Sequence, residues 1–217
     1  MNTAAFRKTY PSGFSLEMPA LELRPGELTA VIGANGSGKS TLARVLSGIE
    51  RADGGARVLS GATVGYLPQK CFAFRMSVEK NILLGGAELQ RFAELTRLLG
   101  LEPLLKQRAK RLSGGECARM ALARLLMGHR DLLIMDEPCA AMDMESTIAA
   151  EDILRRRCAE EGCAVLLITH SLQQARRCAQ NVLFLQKGRL VEQGRSEEIL
   201  TNPKTPELGR FLEFYGA

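Results

Sequence analysis

A short apolar run, Leu28-Thr29-Ala30-Val31-Ile32, leads straight into Gly33-Ala34-Asn35-Gly36-Ser37-Gly38-Lys39-Ser40. Helical apolar spacing follows at Leu42, Val45 and Leu46, and Gly48 is placed to end it. Buried strand, glycine loop and helix together leave few architectures open. The loop matches G-x-x-x-x-G-K-S in full, and its glycines let backbone N–H groups converge on phosphate oxygens without a Cβ in the way. The helix starting near Lys39 adds the positive end of its dipole. Lys39 is placed to reach the β- and γ-phosphates of a nucleotide, Ser40 to ligate Mg²⁺, and Thr41 to help hold the α-phosphate.

The rest of the chain keeps the same alternation. Residues 54–67 are glycine-rich and end in the strand-like Val64-Gly65-Tyr66-Leu67. From Ser77 to about Gly128 the period is helical, most clearly over 87–99 and 116–127, with a break around Gly100 and Pro103. Strands are expected over 131–135 and 164–169, and helices over 145–161 and 171–179. The runs 182–186 and 189–193 flank Lys187-Gly188, a two-residue hairpin signal. Two short helices close the chain, the last with Thr205 as N-cap and Pro206 in its first position. This pattern implies an α/β fold with a mostly parallel sheet. The 217 residues are read as one domain, with a core of about 1–70 and 130–217 and an inserted helical subdomain of about 71–129.

Composition narrows the setting. Apolar residues make up 46% and charged residues 24%, ordinary for a soluble globular protein. No apolar stretch nears the roughly 18 residues that a bilayer span needs, and no apolar segment follows Arg7 and Lys8, so no signal peptide is expected. The net charge of +5 is scattered apart from Arg155-Arg156-Arg157 and Arg176-Arg177, which read as solvated helix faces rather than a nucleic-acid footprint. None of the six cysteines forms a C-x-x-C pair, so reduced thiols are expected rather than a zinc site.

A second chemical unit is Leu132-Leu133-Ile134-Met135-Asp136-Glu137, a buried strand ending in two carboxylates. Beside a phosphate loop, Asp136 suits a contact to Mg²⁺ and Glu137 the polarisation of an attacking water. These two units alone would also fit kinases, GTPases or helicases.

What narrows the field is Leu112-Ser113-Gly114-Gly115-Glu116, which resembles the LSGGQ signature of ATP-binding cassette (ABC) ATPases, with Glu116 where Gln is commonest. A serine hydroxyl, glycine N–H groups and a helix N-terminus make a second anion clamp. The resemblance extends over roughly 6–194. Gln69, after Tyr66-Leu67-Pro68, resembles the Q-loop glutamine, which touches Mg²⁺ or water. His170 resembles the switch histidine, Asp143 the D-loop aspartate at a dimer seam, and Tyr10 the aromatic that stacks on adenine, with Phe6 and Phe14 as neighbouring alternatives. Cys139 and Met142 depart from the usual residues of the family.

The resemblance implies a P-loop NTPase core with an N-terminal antiparallel β part. It also implies a head-to-tail dimer in which Ser113, Gly114, Gly115 and Glu116 grip ATP held by the opposite subunit. A single cassette without a membrane domain resembles the ATPase subunit of a multi-subunit transporter. It would sit at the cytoplasmic face of a membrane and work with permease subunits and a substrate-binding protein. Import is the first expectation; export, lipid extraction and soluble regulatory work are the alternatives. Phe72, Phe74 and Met76, after Gln69, are candidates for the permease contact or for packing the helical lobe. Gln173-Gln174-Ala175-Arg176-Arg177 and Thr201-Asn202-Pro203 resemble cassettes that import oxyanions such as phosphate or tungstate, and polar amino-acid cassettes share some of this.

Overall fold

Three apolar runs, β3 (Leu28–Ile32), β5 (Leu132–Asp136) and β6 (Ala164–Ile168), are buried at every position. They lie parallel and adjacent, as strands covered on both faces must. The structure is a computed structural model that describes residues 1–55 and 57–215. The other strands are β1 (Phe6–Thr9), β2 (Ser15–Met18), β4 (Val64–Leu67), β7 (Asn181–Gln186) and β8 (Arg189–Arg195). The sheet order is β1-β2-β8-β7-β3-β6-β5-β4. The five strands from β7 to β4 run parallel. β7 and β8 form the expected hairpin, with φ of 47° at Lys187 and 76° at Gly188. β1 and β2 are an antiparallel arm joined to β8 through the pairing of Glu17 with Arg189.

The helices are α1 (Lys39–Leu46), α2 (Val78–Leu83), α3 (Leu89–Leu98), α4 (Gly114–Leu126), α5 (Met144–Glu161), α6 (Leu172–Cys178), α7 (Ser196–Ile199) and α8 (Pro206–Tyr215). Alternating strand residues build two separate cores. Val31, Leu132, Ile134, Leu166 and Leu183 join Leu42 and Leu46 of α1 on one face. Leu28, Leu133, Leu167 and Phe184 face the other side, with α2, α4, α5, α6 and α8. Helices α2, α3 and α4 lie in the chain between β4 and β5. α2 starts where Ser77 accepts a hydrogen bond from the Lys80 N–H, 3.2 Å. The glycine-rich stretch before β4 forms a short 3₁₀ turn at Asp53–Gly55. Most of the arginines in the two basic runs are paired locally: Arg155 with Asp152, Arg156 with Glu94, Arg157 with Glu161 and Arg177 with Glu151. Among the described residues no helix is long and apolar enough to cross a membrane.

Register fixes where the chemistry emerges. Ile168 pairs with Val31 on one side and Asp136 on the other. The loops after β3, β5 and β6 therefore leave the sheet at one level, at the carboxyl ends of parallel strands, where α/β folds bind ligands.

Candidate functional site

The loop after β3 depends on two glycines for close approach. A Cβ on Gly33 would collide with the Leu185 carbonyl of β7, and one on Gly38 would press on Leu16 and Phe14. Both residues have positive φ, 149° and 109°. α1 starts at Lys39 with no side chain capping it, so its first backbone N–H groups are not taken up by a cap. Lys39 Nζ donates to the carbonyls of Gly33 at 2.7 Å and Ala34 at 3.0 Å, curling the loop around the ammonium. Burial holds the Lys39 pKa below its usual value, although Glu137 and Asp136 pull the other way. Ser37 is buried beneath the loop, and its hydroxyl has no hydrogen-bond partner.

The acidic pair divides its work by depth. Asp136 is 3% exposed, and its Oδ1 has no partner. Burial raises its pKa, and the Ser40 hydroxyl beside it partly offsets that. Glu137 is the less buried member, and its φ of 51° is unusual for a residue with a side chain. Its N–H donates to the Ile168 carbonyl at 3.0 Å, which ties this backbone to β6. The carboxylate is held at both oxygens. Gln69 Nε2 donates to Oε2 at 3.0 Å, and His170 Nε2 lies 2.6 Å from Oε1. Three residues far apart in sequence thus meet at one carboxylate.

One cavity of about 850 Å³ gathers this unit with the loop. Asn35, Gly36, Gly38, Lys39, Ser40 and Thr41 line it, and so do Gln69, Glu137 and His170. Tyr10 and Phe14 line it too, with ring centroids 6.2 Å apart. Phe6 instead belongs to the core. The Tyr10 hydroxyl donates to Glu50, and Arg44 Nε holds the other Glu50 oxygen at 2.7 Å, so the Tyr10 ring is pinned by its outer end. Gly33, Ser37 and Asp136 lie behind the wall rather than on it. Three residues that the sequence reading missed, Ser12, Arg44 and Tyr215, also line the cavity. Arg44 lies one helical turn from Ser40 on α1, a spacing that could have found it. Nothing local in sequence marks Tyr215.

The Ser113–Glu116 stretch lies outside the cavity lining. Ser113 caps α4, and Glu116 closes a reciprocal capping box: its carboxylate accepts from the Ser113 N–H at 2.7 Å, and its own N–H donates to Ser113 Oγ at 3.3 Å. The Ser113 N–H, and then the Ser113 hydroxyl, hold the Glu116 carboxyl below its usual pKa. A Cβ on Gly115 would press on the Ala141 carbonyl, so this loop packs on the segment leading to Asp143. Asp143 itself caps α5, accepting from the Ser146 N–H at 2.7 Å. Cys139, half-buried beside Gln174, has its thiol pushed up to about 11 by burial.

Among the described residues no group of three His, Cys, Asp or Glu could hold a metal. A hard cation that brings its own phosphate ligands needs fewer. The orphaned Asp136 Oδ1 and the Ser40 hydroxyl are oxygen donors of the kind Mg²⁺ takes, and the residues present fit that ion. Phe72 and Phe74 are 61% and 42% exposed, stacked edge-on at 4.9 Å, while Met76 is half-buried.

The family model described as "ABC transporter" matches residues 16–140. A sulfate/thiosulfate import ATP-binding protein of Nocardia farcinica is 33% identical over 95% of this chain and 68% of its own length. A tungstate uptake system ATP-binding protein of Peptoclostridium acidaminophilum is 35% identical over 86% of this chain and 94% of its own. The solved structure of an ATP-binding subunit of an ABC transporter shares the fold, with a TM-score of 0.81 at 22% identity, covering 100% of this chain and 99% of that one.

Proposed function

Because this chain belongs to the ABC transporter family of ATP-binding subunits, we propose that it binds and hydrolyses ATP to drive import through a partner membrane permease. The observation that carries this reading is the Glu137 carboxylate held between Gln69 and His170 at the wall of the cavity that the phosphate loop lines. In this reading Lys39 and the N–H groups of 33–41 bind the polyphosphate. Tyr10, pinned through Glu50, stacks on the adenine. Glu137 accepts a hydrogen bond from the attacking water and draws its proton away as the water oxygen bonds to the γ-phosphorus and the bond to the ADP oxygen breaks. His170 orients that carboxylate, and Gln69 holds its other oxygen. Ser40, Asp136 and Gln69 would hold Mg²⁺, which neutralises charge on the β- and γ-phosphate oxygens.

The Ser113–Glu116 loop serves a second copy of the chain. It lies outside its own chain's cavity, and its glycines and helix N-terminus suit the γ-phosphate of a partner bound head to tail. The Asp143 segment, packed under Gly115, lines the seam. ATP binding favours the closed dimer, and hydrolysis reopens it. In domain terms, the helical insertion of about 71–129 carries the docking face. Exposed Phe72 and Phe74, braced by Arg124 donating to the Phe72 carbonyl at 2.9 Å, are where the permease would sit. The chain would then work at the inner membrane face, with a substrate-binding protein on the far side. The imported class we propose is an inorganic oxyanion, after the sulfate/thiosulfate and tungstate named for the relatives.

The test is to co-express the chain with its permease in vesicles and follow oxyanion uptake and phosphate release together. Uptake and hydrolysis lost together in Lys39→Ala support the reading. Hydrolysis with no permease association and no uptake refutes the transport role.

A further inference from the structure

Helix α8 packs in the core layer opposite α1, yet it ends at the cavity that α1 and its loop line. Its start is fixed by Glu192 of β8, whose carboxylate accepts from the backbone N–H of Lys204 at 3.0 Å and of Thr205 at 2.9 Å, and from the Thr205 hydroxyl at 2.6 Å. Its middle is fixed by Leu208 and Phe211, both buried. Phe211 packs on Phe184 of β7 with ring centroids 5.1 Å apart, and Tyr215 packs on Phe211 at 4.6 Å. β7 is the strand next to β3, and its Leu185 carbonyl lies against Gly33. This aromatic ladder therefore begins on β7, one residue from the carbonyl that lies against Gly33, and climbs out to Tyr215. There the ring is 45% exposed and lines the cavity together with Asn35, Lys39 and His170. A large aromatic held half-bare at a polar cavity by a buried ladder is placed to meet a ligand, since solvent exposure alone would not repay ordering it.

We propose that Tyr215 is a second nucleotide-contacting aromatic, whose ring forms a wall against the bound nucleoside triphosphate. This rests on the ATP-binding reading above and adds to it a residue outside every motif of the sequence. It also makes the seating of α8 on Glu192 part of nucleotide recognition.

The experiment measures equilibrium binding of a fluorescent methylanthraniloyl-ATP to the full chain. Tyr215→Ala is expected to weaken binding roughly five- to tenfold, with the variant still unfolding in one cooperative transition at a midpoint above the assay temperature. Tyr215→Phe, which keeps the ring, should bind within about twofold of the unmutated chain. Phe214→Ala, which removes a ring lying edge-on to Tyr215 at 4.9 Å but outside the cavity lining, should weaken binding less than Tyr215→Ala does. In the unmutated chain, saturating ATP should slow nitration of Tyr215 by tetranitromethane, read by peptide mass spectrometry. The proposal fails if Tyr215→Ala binds within twofold of the unmutated chain, if Phe214→Ala weakens binding equally, or if ATP leaves Tyr215 nitration unchanged. Failure of the ATP-binding reading looks different: the unmutated chain would not bind the probe, or Lys39→Ala would bind it equally well.

Discussion

At the scale of single residues, the site rests on two carboxylates with different neighbours. Glu137 is held at one oxygen by Gln69 and approached at the other by His170, and it has a strained backbone, which fits a group that must point one way through a reaction. Glu137→Gln is expected to lower ATP turnover about 10²- to 10⁴-fold while leaving nucleotide affinity unchanged, read by phosphate release beside equilibrium binding. Turnover within tenfold of the unmutated chain would move the water-activating role elsewhere. Glu116 is the instructive departure from the family pattern. Its carboxylate fills a capping box that Gln could also close, yet it sets a negative charge where a partner's phosphate would arrive. Glu116→Gln should therefore lower the KM for ATP about two- to fivefold, on a helix-terminus charge effect of ~0.3–1 kcal/mol. A KM that does not move would argue against the loop facing nucleotide. These residues were legible because each sits in a short motif whose spacing encodes its chemistry. Tyr215 was not, because only the packing of Phe211 on Phe184 brings it to the cavity.

At the scale of elements, hydrophobic periodicity found β3, β5, β6 and the long helices within a few residues, since these are the segments buried on a regular face. The arm of β1 and β2 was less clear from periodicity, being short and half-exposed. The seating of α8 was half-visible. Thr205 and Pro206 announced its start, and Thr205 Oγ1 does accept from the Leu208 N–H at 3.4 Å, but the Glu192 carboxylate that fastens it lies on another element. Glu192 is 8% exposed. Burial alone would raise its pKa, yet the hydrogen bonds from Thr205 and Lys204 outweigh this and hold it below the usual carboxylate value. A carboxyl lowered on folding adds stability above its unfolded pKa and loses it as pH falls through the folded one. Glu192→Ala should thus cost about 1–3 kcal/mol in urea unfolding at pH 7. The gap between mutant and unmutated chain should narrow as the pH drops below about 4.5. A gap independent of pH would mean that packing, not the carboxylate, anchors α8.

At the scale of the whole molecule, the Ser113 loop and the phosphate loop belong to one chain but do not share a cavity, so the working unit is expected to be a pair. Light scattering on Glu137→Gln with Mg·ATP should report a doubled mass that EDTA reverses. Adding Ser113→Arg should leave a monomer that still binds nucleotide. A persistent monomer in the first case would mean that closure needs the permease. The sheet also keeps two accounts of side chains apart: Leu132, Ile134 and Leu166 serve the α1 face, and Leu133, Met135 and Leu167 the other. Helix α2, beside the exposed Phe72 and Phe74, packs only into the second set. In evolutionary terms the two faces can drift at different speeds. A lineage can reshape the surface that meets a new membrane partner, substitution by substitution, without repacking the layer beneath the phosphate loop. One fuel-burning face can then be inherited nearly whole by transporters that carry unrelated cargo.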